Sequence, residues 1–327
     1  MNTFIFTCGD INGVGPEIAI KTLNRIAADS KSRFVFFCPK NIFNNEIQKV
    51  KPKFNYVINS SLSKDYYKEV QVVDIGYYKQ NYGLPTVKSG KAAYKAIELA
   101  LEESLNSFNV GLITSPISKK ALSLANVRYR GHTEILADWF NIKSYVMMFL
   151  SNQLKVSLLT IHEPIQKIST LITKELLKDK LDVIVSSMKS DFRIKNPEIA
   201  LLGLNPHSGE EGLIGKEEIK VINPFLSKYK HRKNIFGPFS PDAFWGNKLY
   251  KKYDMVVGMY HDQVLIPFKL ITFNKGVNFT AGLPIVRTSP DHGTAFDIAG
   301  KGIADESSML EAFYFAKKIL RNRQFSE

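Results

Sequence analysis

The chain has 327 residues, 44% of them hydrophobic, with 44 Lys and Arg against 31 Asp and Glu and only two cysteines. That length suits two domains, or one large α/β unit, and the apolar share excludes a disordered or fibrous chain. No apolar run reaches the roughly 20 residues of a membrane span, and two cysteines give no disulfide framework. The N-terminus has neither the basic region nor the cleavage pattern of a signal peptide. A cytoplasmic protein with reduced thiols is the expectation. The formal charge of +13 comes from 35 Lys and 9 Arg, scattered without a block. Arg clusters or zinc-finger strings would point to nucleic acid. None is present, so anionic small molecules are the expected partners, with a basic nucleic-acid-binding protein as the remote alternative.

In chain order, residues 3–7 read as a strand opening into Cys8-Gly9-Asp10-Ile11-Asn12-Gly13-Val14-Gly15-Pro16-Glu17. A helix follows over residues 18–27, and Pro16 suits a first helical turn. Further strands are expected at 33–37, 70–75 and 110–114, with a strong helix over 91–103, rich in Ala, Leu, Glu and Lys. Later strands are expected at 156–161, 199–204 and 255–259, and a last helix runs from about 307 to 321. Strands separated by helices predict an α/β fold with a largely parallel sheet. No repeat or linker marks a domain boundary.

Three of the six histidines share one placement. His162 follows the run 156–161, His207 follows the run 199–204 after Asn205-Pro206, and His261 follows the run 255–259 after Tyr260. In open α/β sheets ligands bind beyond the carboxyl ends of strands. Three imidazoles there can form a metal site with positions left open for substrate. The ordinary alternative is three hydrogen-bonded loop residues, since these spacings match no short zinc motif. His231, between Lys230 and Arg232, reads as a solvated surface residue.

Two glycine-rich stretches remain. Residues 9–16 can cradle an anion at a helix N-terminus or form a tight strand-to-helix turn, and they lack the G-x-G-x-x-G fingerprint. Residues 282–304 carry a density of Gly, Asp, His and Thr that suits a flat cofactor lying against the backbone.

The N-terminal Gly9-Asp10 to Pro16-Glu17 motif and His292-Gly293-Thr294-Ala295-Phe296-Asp297 near the C-terminus resemble the isopropylmalate/isocitrate dehydrogenase superfamily. Between them stand Gly131-His132-Thr133-Glu134, Leu204-Asn205-Pro206-His207-Ser208-Gly209-Glu210, Gly237-Pro238-Phe239-Ser240-Pro241-Asp242, Tyr260-His261-Asp262-Gln263 and Leu283-Pro284 to Arg287-Thr288-Ser289. In this order, over essentially the whole chain, they resemble the 4-hydroxythreonine-4-phosphate dehydrogenases of pyridoxal phosphate biosynthesis. Ile11, Glu163 and Ala281 depart from the usual pattern, which touches local loop shape and no matched ligand.

The resemblance implies a two-domain α/β/α architecture with an interdomain active-site cleft. One domain would hold residues 1–115 and 270–327, the other 116–269. It implies NAD or NADP as cofactor, and a divalent ion on His162, His207 and His261, zinc first, with magnesium or cobalt as alternatives. His132, Thr133, Lys269, Asn278 and Arg287 would bind the phosphorylated amino-acid substrate. His292, Gly293, Thr294 and Asp297 would meet the cofactor. Lys269 and Asp242 are the candidates for moving protons, although Asp242 also suits a turn after Pro241. A homodimer whose active site draws on both subunits is implied. A related dehydrogenase of another phosphorylated four-carbon hydroxy acid is the alternative within the same class.

Overall fold

Runs such as Phe4-Ile5-Phe6 are apolar on both faces, as a strand buried on both sides of a parallel sheet requires. The computed structural model describes residues 1–63, 70–106, 109–129 and 131–324. The first elements are β1 (Asn2–Thr7), α1 (Gly15–Ile26), β2 (Ser32–Phe37), α2 (Lys40–Ile47), β3 (Tyr56–Asn59), β4 (Val70–Val73), α3 (Val87–Asn106), β5 (Val110–Thr114), α4 (Lys119–Leu124) and α5 (His132–Trp139). There follow β6 (Val146–Leu150), β7 (Lys155–Leu158), α6 (Ile165–Leu171), α7 (Lys174–Ser190), β8 (Ile199–Leu202), α8 (Asn223–Leu226), β9 (Ile235–Phe239), α9 (Pro241–Gly246), β10 (Met255–Gly258), α10 (His261–Thr272) and β11 (Val277–Ala281). β12 (Val286–Pro290) and α11 (Ser307–Gln324) complete the chain.

The chain divides into two compact units, Met1–Asn141 with Leu283–Leu320, and Ile142–Gly282 with Arg321–Glu327. The changeovers fall at 141/142 and 282/283, not near 115 and 270. Close packing accounts for the first. A methyl group added to Gly90 of α3 would come within 2.1 Å of the Ala121 carbonyl oxygen of α4, so α4 belongs with α3. Strand pairing accounts for the second, because β11 lies antiparallel to β6, with Phe279 opposite Met148.

In the first unit the strands run β3-β4-β2-β1-β5-β12 and are parallel throughout. Phe4 pairs with Phe34 on one side and Gly111 on the other. Its ring meets Phe313 of α11 edge-on at 4.7 Å. An aromatic pair of this kind adds about 0.5–1.5 kcal/mol beyond area burial.

In the second unit the order is β11-β6-β7-β10-β8-β9. β6 runs antiparallel to both neighbours, while β7, β10, β8 and β9 are parallel to one another. Val256 of β10 sits level with Val156 of β7 and Ala200 of β8. Phe149, Phe244, Val264 and Phe268 pack with them into one apolar core. Three neighbouring parallel strands thus end on the same edge of the unit. Each precedes one of the three histidines singled out by sequence.

Candidate active site

The first unit holds one set of site residues. Arg287 lies on β12 level with Leu112 of β5, and parallel register puts its side chain on the same face as Thr114 two residues on. Nε and Nη2 of Arg287 both donate to Oγ1 of Thr114, at 3.1 and 2.7 Å. The residue is only 2% exposed, and burial pulls its guanidinium down to about 9. A desolvated guanidinium is a strong point of attraction for an anion, since its field is screened little. His132 opens α5 after Gly131. Among the described residues its buried Nε2 has no hydrogen-bond partner, and burial, with the charge of Arg287, holds the imidazole well below its usual range. Thr133, next along, is buried.

The cofactor candidates lie in the same unit. The loop 9–16 forms a tight turn in which four amides are engaged within the protein. Asp10 N donates to Pro116 O, Gly13 N to Asp10 O, and Val14 N to Thr294 O. Asn12 N donates to the Asp10 carboxylate. The turn instead carries the second glycine stretch. Gly13 lies so close to Thr294 that a methyl group would sit 2.6 Å from its carbonyl oxygen. Glu17 accepts from Ala304 N at 2.8 Å, while Lys21 donates to the Gly302 and Ala304 carbonyls. His292, Gly293 and Asp297 are exposed along the loop held this way, and among the described residues beyond its chain neighbours nothing stands within 4 Å of where a Gly293 side chain would begin.

The second unit holds the histidines. His162 and His261 have ring centroids 5.9 Å apart. Two imidazoles that share one ion at about 2.0–2.1 Å stand roughly 5–6 Å apart by centroid, so the pair fits a divalent metal. His261 Nδ1 lies 2.7 Å from the Asp262 carboxylate, an arrangement that favours the proton on Nδ1 and leaves Nε2 as the nitrogen able to coordinate. His162 (φ 53°) and His207 (φ 51°) occupy left-handed backbone. His207 begins a left-handed run through Glu211, and such conformations cost L-residues roughly 1–2 kcal/mol each. Strain of this kind collects at functional sites. His207 does not join the other two: among the described residues no three His, Cys, Asp or Glu side chains stand close enough to hold an ion.

Asp242 occupies the first turn of α9. The Ser240 hydroxyl donates to it at 2.5 Å. That bond, the Ala243 amide and the neighbouring His207 keep its carboxyl below the usual range. It is therefore an anion at neutral pH and not a proton donor. The turn role expected as an alternative is also present. Lys269 is exposed on α10, and Asn278 on β11 has its Oδ1 buried with no partner among the described residues. His231 is half-exposed and packs edge-on against Tyr229, so it is less solvated than its basic neighbours suggest.

Two buried polar residues received no role from sequence. Gln263 closes the Tyr260-His261-Asp262-Gln263 string and is 8% exposed. Glu218, only 1% exposed, accepts from Leu204 N and Asn205 N at 2.8 Å just before His207. No local pattern announces a carboxylate that bonds residues 13 and 14 positions away.

The chain matches the family described as "Pyridoxal phosphate biosynthetic protein PdxA" over residues 29–316. It belongs to that family. The 4-hydroxythreonine-4-phosphate dehydrogenase of Bacteroides thetaiotaomicron is 38% identical over 322 residues, 97% of this chain and 88% of the relative. The crystal structure of the Klebsiella pneumoniae 4-hydroxythreonine-4-phosphate dehydrogenase superposes with a TM-score of 0.85 at 32% identity, covering 98% of each chain. Isocitrate dehydrogenase from Methylococcus capsulatus, 12% identical with a TM-score of 0.50 over 99% of this chain and 87% of that one, shares the fold alone. No helix among the described residues is long and apolar enough to cross a membrane.

Proposed function

We propose that this chain oxidises 4-phosphooxy-L-threonine at its 3-hydroxyl with NAD or NADP and releases carbon dioxide, giving 3-amino-2-oxopropyl phosphate for pyridoxal 5'-phosphate synthesis. The observation that carries the reading is the buried Arg287 fork, in a chain whose relatives bear this dehydrogenase name. The substrate has a phosphate and a carboxylate, and a planar fork matches either oxyanion with two parallel bonds.

His162, His207 and His261 hold a divalent ion, with zinc the first choice and magnesium or cobalt as alternatives. The missing third ligand around the His162–His261 pair is supplied by rearrangement of the His207 loop or by a second copy of the chain. When bound, such an ion would acidify the substrate hydroxyl and stabilise negative charge at the same oxygen after oxidation. His132, kept neutral, offers its orphaned Nε2 as a hydrogen-bond partner. Asn278 offers Oδ1, an acceptor suited to a hydroxyl or an ammonium. Arg287 and Lys269 take the phosphate and carboxylate, and Thr133 adds a hydroxyl. Asp242, ionised, accepts the hydroxyl proton, while Lys269 returns one to the enolate carbon after carbon dioxide leaves. His292, Gly293, Thr294 and Asp297 line the cofactor position, where hydride is accepted.

The homodimer has its own support. Ile266, Leu270 and Phe273 are 57%, 79% and 76% exposed. They recur at helical spacing along and just past α10, the helix that carries His261 and Lys269. An apolar stripe of this kind beside a site fits burial against a second copy. A cytoplasmic location follows from the biosynthetic role.

Carbon and electron balance test the reading. One carbon dioxide should appear for each nicotinamide reduced. Reduction without carbon dioxide would show that the product keeps its carboxylate, and the decarboxylating half of the assignment would fail.

A further inference from the structure

β7, β10 and β8 lie side by side, but their backbone ladders run out before the histidines begin. The last β10–β8 pair is Val257 with Leu201, and the last β10–β7 pair is Gly258 with Leu158. Past those pairs the β7 side keeps two backbone bonds, Leu159 N to Gly258 O at 2.9 Å and Thr160 N to Met259 O at 3.2 Å, whereas toward β8 a side chain takes over. The Thr160 hydroxyl donates to Met259 O at 2.7 Å. Met259 N donates to Gln263 Oε1 at 2.7 Å, and Gln263 Nε2 donates to Gly203 O at 2.7 Å. One belt therefore runs from β7 through β10 to β8. Its backbone anchor points are two residues before His162, two before His261 and four before His207.

Gln263 is the centre of this belt. It is 8% exposed, and its own carbonyl accepts from Trp245 Nε1 at 3.2 Å, which adds α9 and hence the Asp242 turn. Its amide supplies a donor and an acceptor on separate atoms at the same end of a long side chain. Glu218 grips the adjoining Leu204–Asn205 amides from the other side.

We propose that Gln263 is a positioning residue, which spans the gap between the ends of β10 and β8 and so sets where His261 and His207 stand relative to each other. The inference rests on the reading of the three histidines as metal ligands. Outer partners of metal ligands typically govern affinity by about 10–100-fold.

Cobalt(II) titration of the chelator-treated full-length protein tests it, read by affinity and by the visible ligand-field spectrum, beside a melting curve. Gln263→Met keeps the volume but removes both side-chain bonds. It should bind cobalt at least about tenfold more weakly, with a changed spectrum. Phe268→Leu, a core change in the same unit, should lower the melting temperature and leave cobalt affinity and spectrum alone. If Gln263→Met does not fold, Gln263→Glu keeps the acceptor for Met259 N and removes the donor to Gly203 O, and should show the same loss in weaker form. Parental affinity and spectrum in Gln263→Met, or in Gln263→Glu where only that variant folds, would overturn the inference while leaving the metal reading intact. Affinity that merely tracks melting temperature across all variants would overturn it too. A parent protein that binds no cobalt would overturn the metal reading itself, and this inference with it.

Discussion

Arg287 and Thr114 face each other across neighbouring strands, with two guanidinium nitrogens converging on one hydroxyl at 3.1 and 2.7 Å. The hydroxyl fixes the rotation of the fork, and burial removes the water that would otherwise compete for it. Lys can occupy the space but cannot supply two parallel donors. A lost charge-assisted contact costs about 1.5–3 kcal/mol, so Arg287→Lys should lose roughly tenfold or more in kcat/KM. The loss should fall mainly on KM if ground and transition states are held equally. Thr114→Val should move in the same direction by less. Steady-state kinetics of both variants check this, and an unchanged Arg287→Lys contradicts the substrate role.

Metal removal gives the next test. Chelation should abolish turnover, and zinc, cobalt or magnesium should restore it. His162→Ala, His207→Ala and His261→Ala should each lose most activity while still unfolding cooperatively. Full activity of His207→Ala after exhaustive dialysis against chelator would remove His207 from the ligand set.

Asp10 lies in the turn that carries Thr294, fully buried, and burial pushes its carboxyl up to about 6 from 3.8. The native state therefore prefers the protonated form. Stability from this group is fully present below its unfolded value and is lost as pH rises through about 6. The loss is on the order of 3 kcal/mol, from about 1.4 kcal/mol per unit. Asp10→Asn should thus be more stable than the parent at pH 7.5, with the difference shrinking toward pH 4. Urea midpoints across that range check the sign. A difference that does not vary with pH contradicts it.

The exposed stripe on α10 predicts an effect on assembly. Leu270→Lys places a charge among Ile266 and Phe273, where a second copy is proposed to sit. Sedimentation should give about twice the 37.0 kDa chain mass for the parent and about the chain mass for the variant. A parent that sediments as a monomer at micromolar concentration contradicts the dimer.

Much of the fold was legible because strand burial writes itself into composition. Val110–Thr114 was read to the residue, and the placement of His162, His207 and His261 beyond strand ends needed only the apolar runs before them. The strand before His162 ends at Leu158, not at Ile161, because its last backbone bonds reach Gly258 and Met259 while the chain turns toward left-handed His162. The belt through Gln263 was not legible. Its partners are up to 60 residues away, and an amide in the middle of a helical pattern looks the same whether it faces water or two strand ends. The left-handed run from His207 to Glu211 was hidden for a similar reason, since only Gly209 among those five is a residue that signals it. The loop 9–16 left two readings open, and the amide bonds to Asp10, Pro116 and Thr294 decide for the turn.

The central claim is the identity of the substrate, and kcat/KM for a pair of four-carbon acids tests it most directly. One is 4-phosphooxy-L-threonine and the other is the phosphorylated dihydroxy acid with a hydroxyl in place of the amine. Both are followed by nicotinamide reduction with the metal-loaded protein. The account predicts that the amine-bearing substrate is preferred at least tenfold, about 1.4 kcal/mol of selective contact. Equal rates, or a preference for the acid lacking the amine, would contradict it.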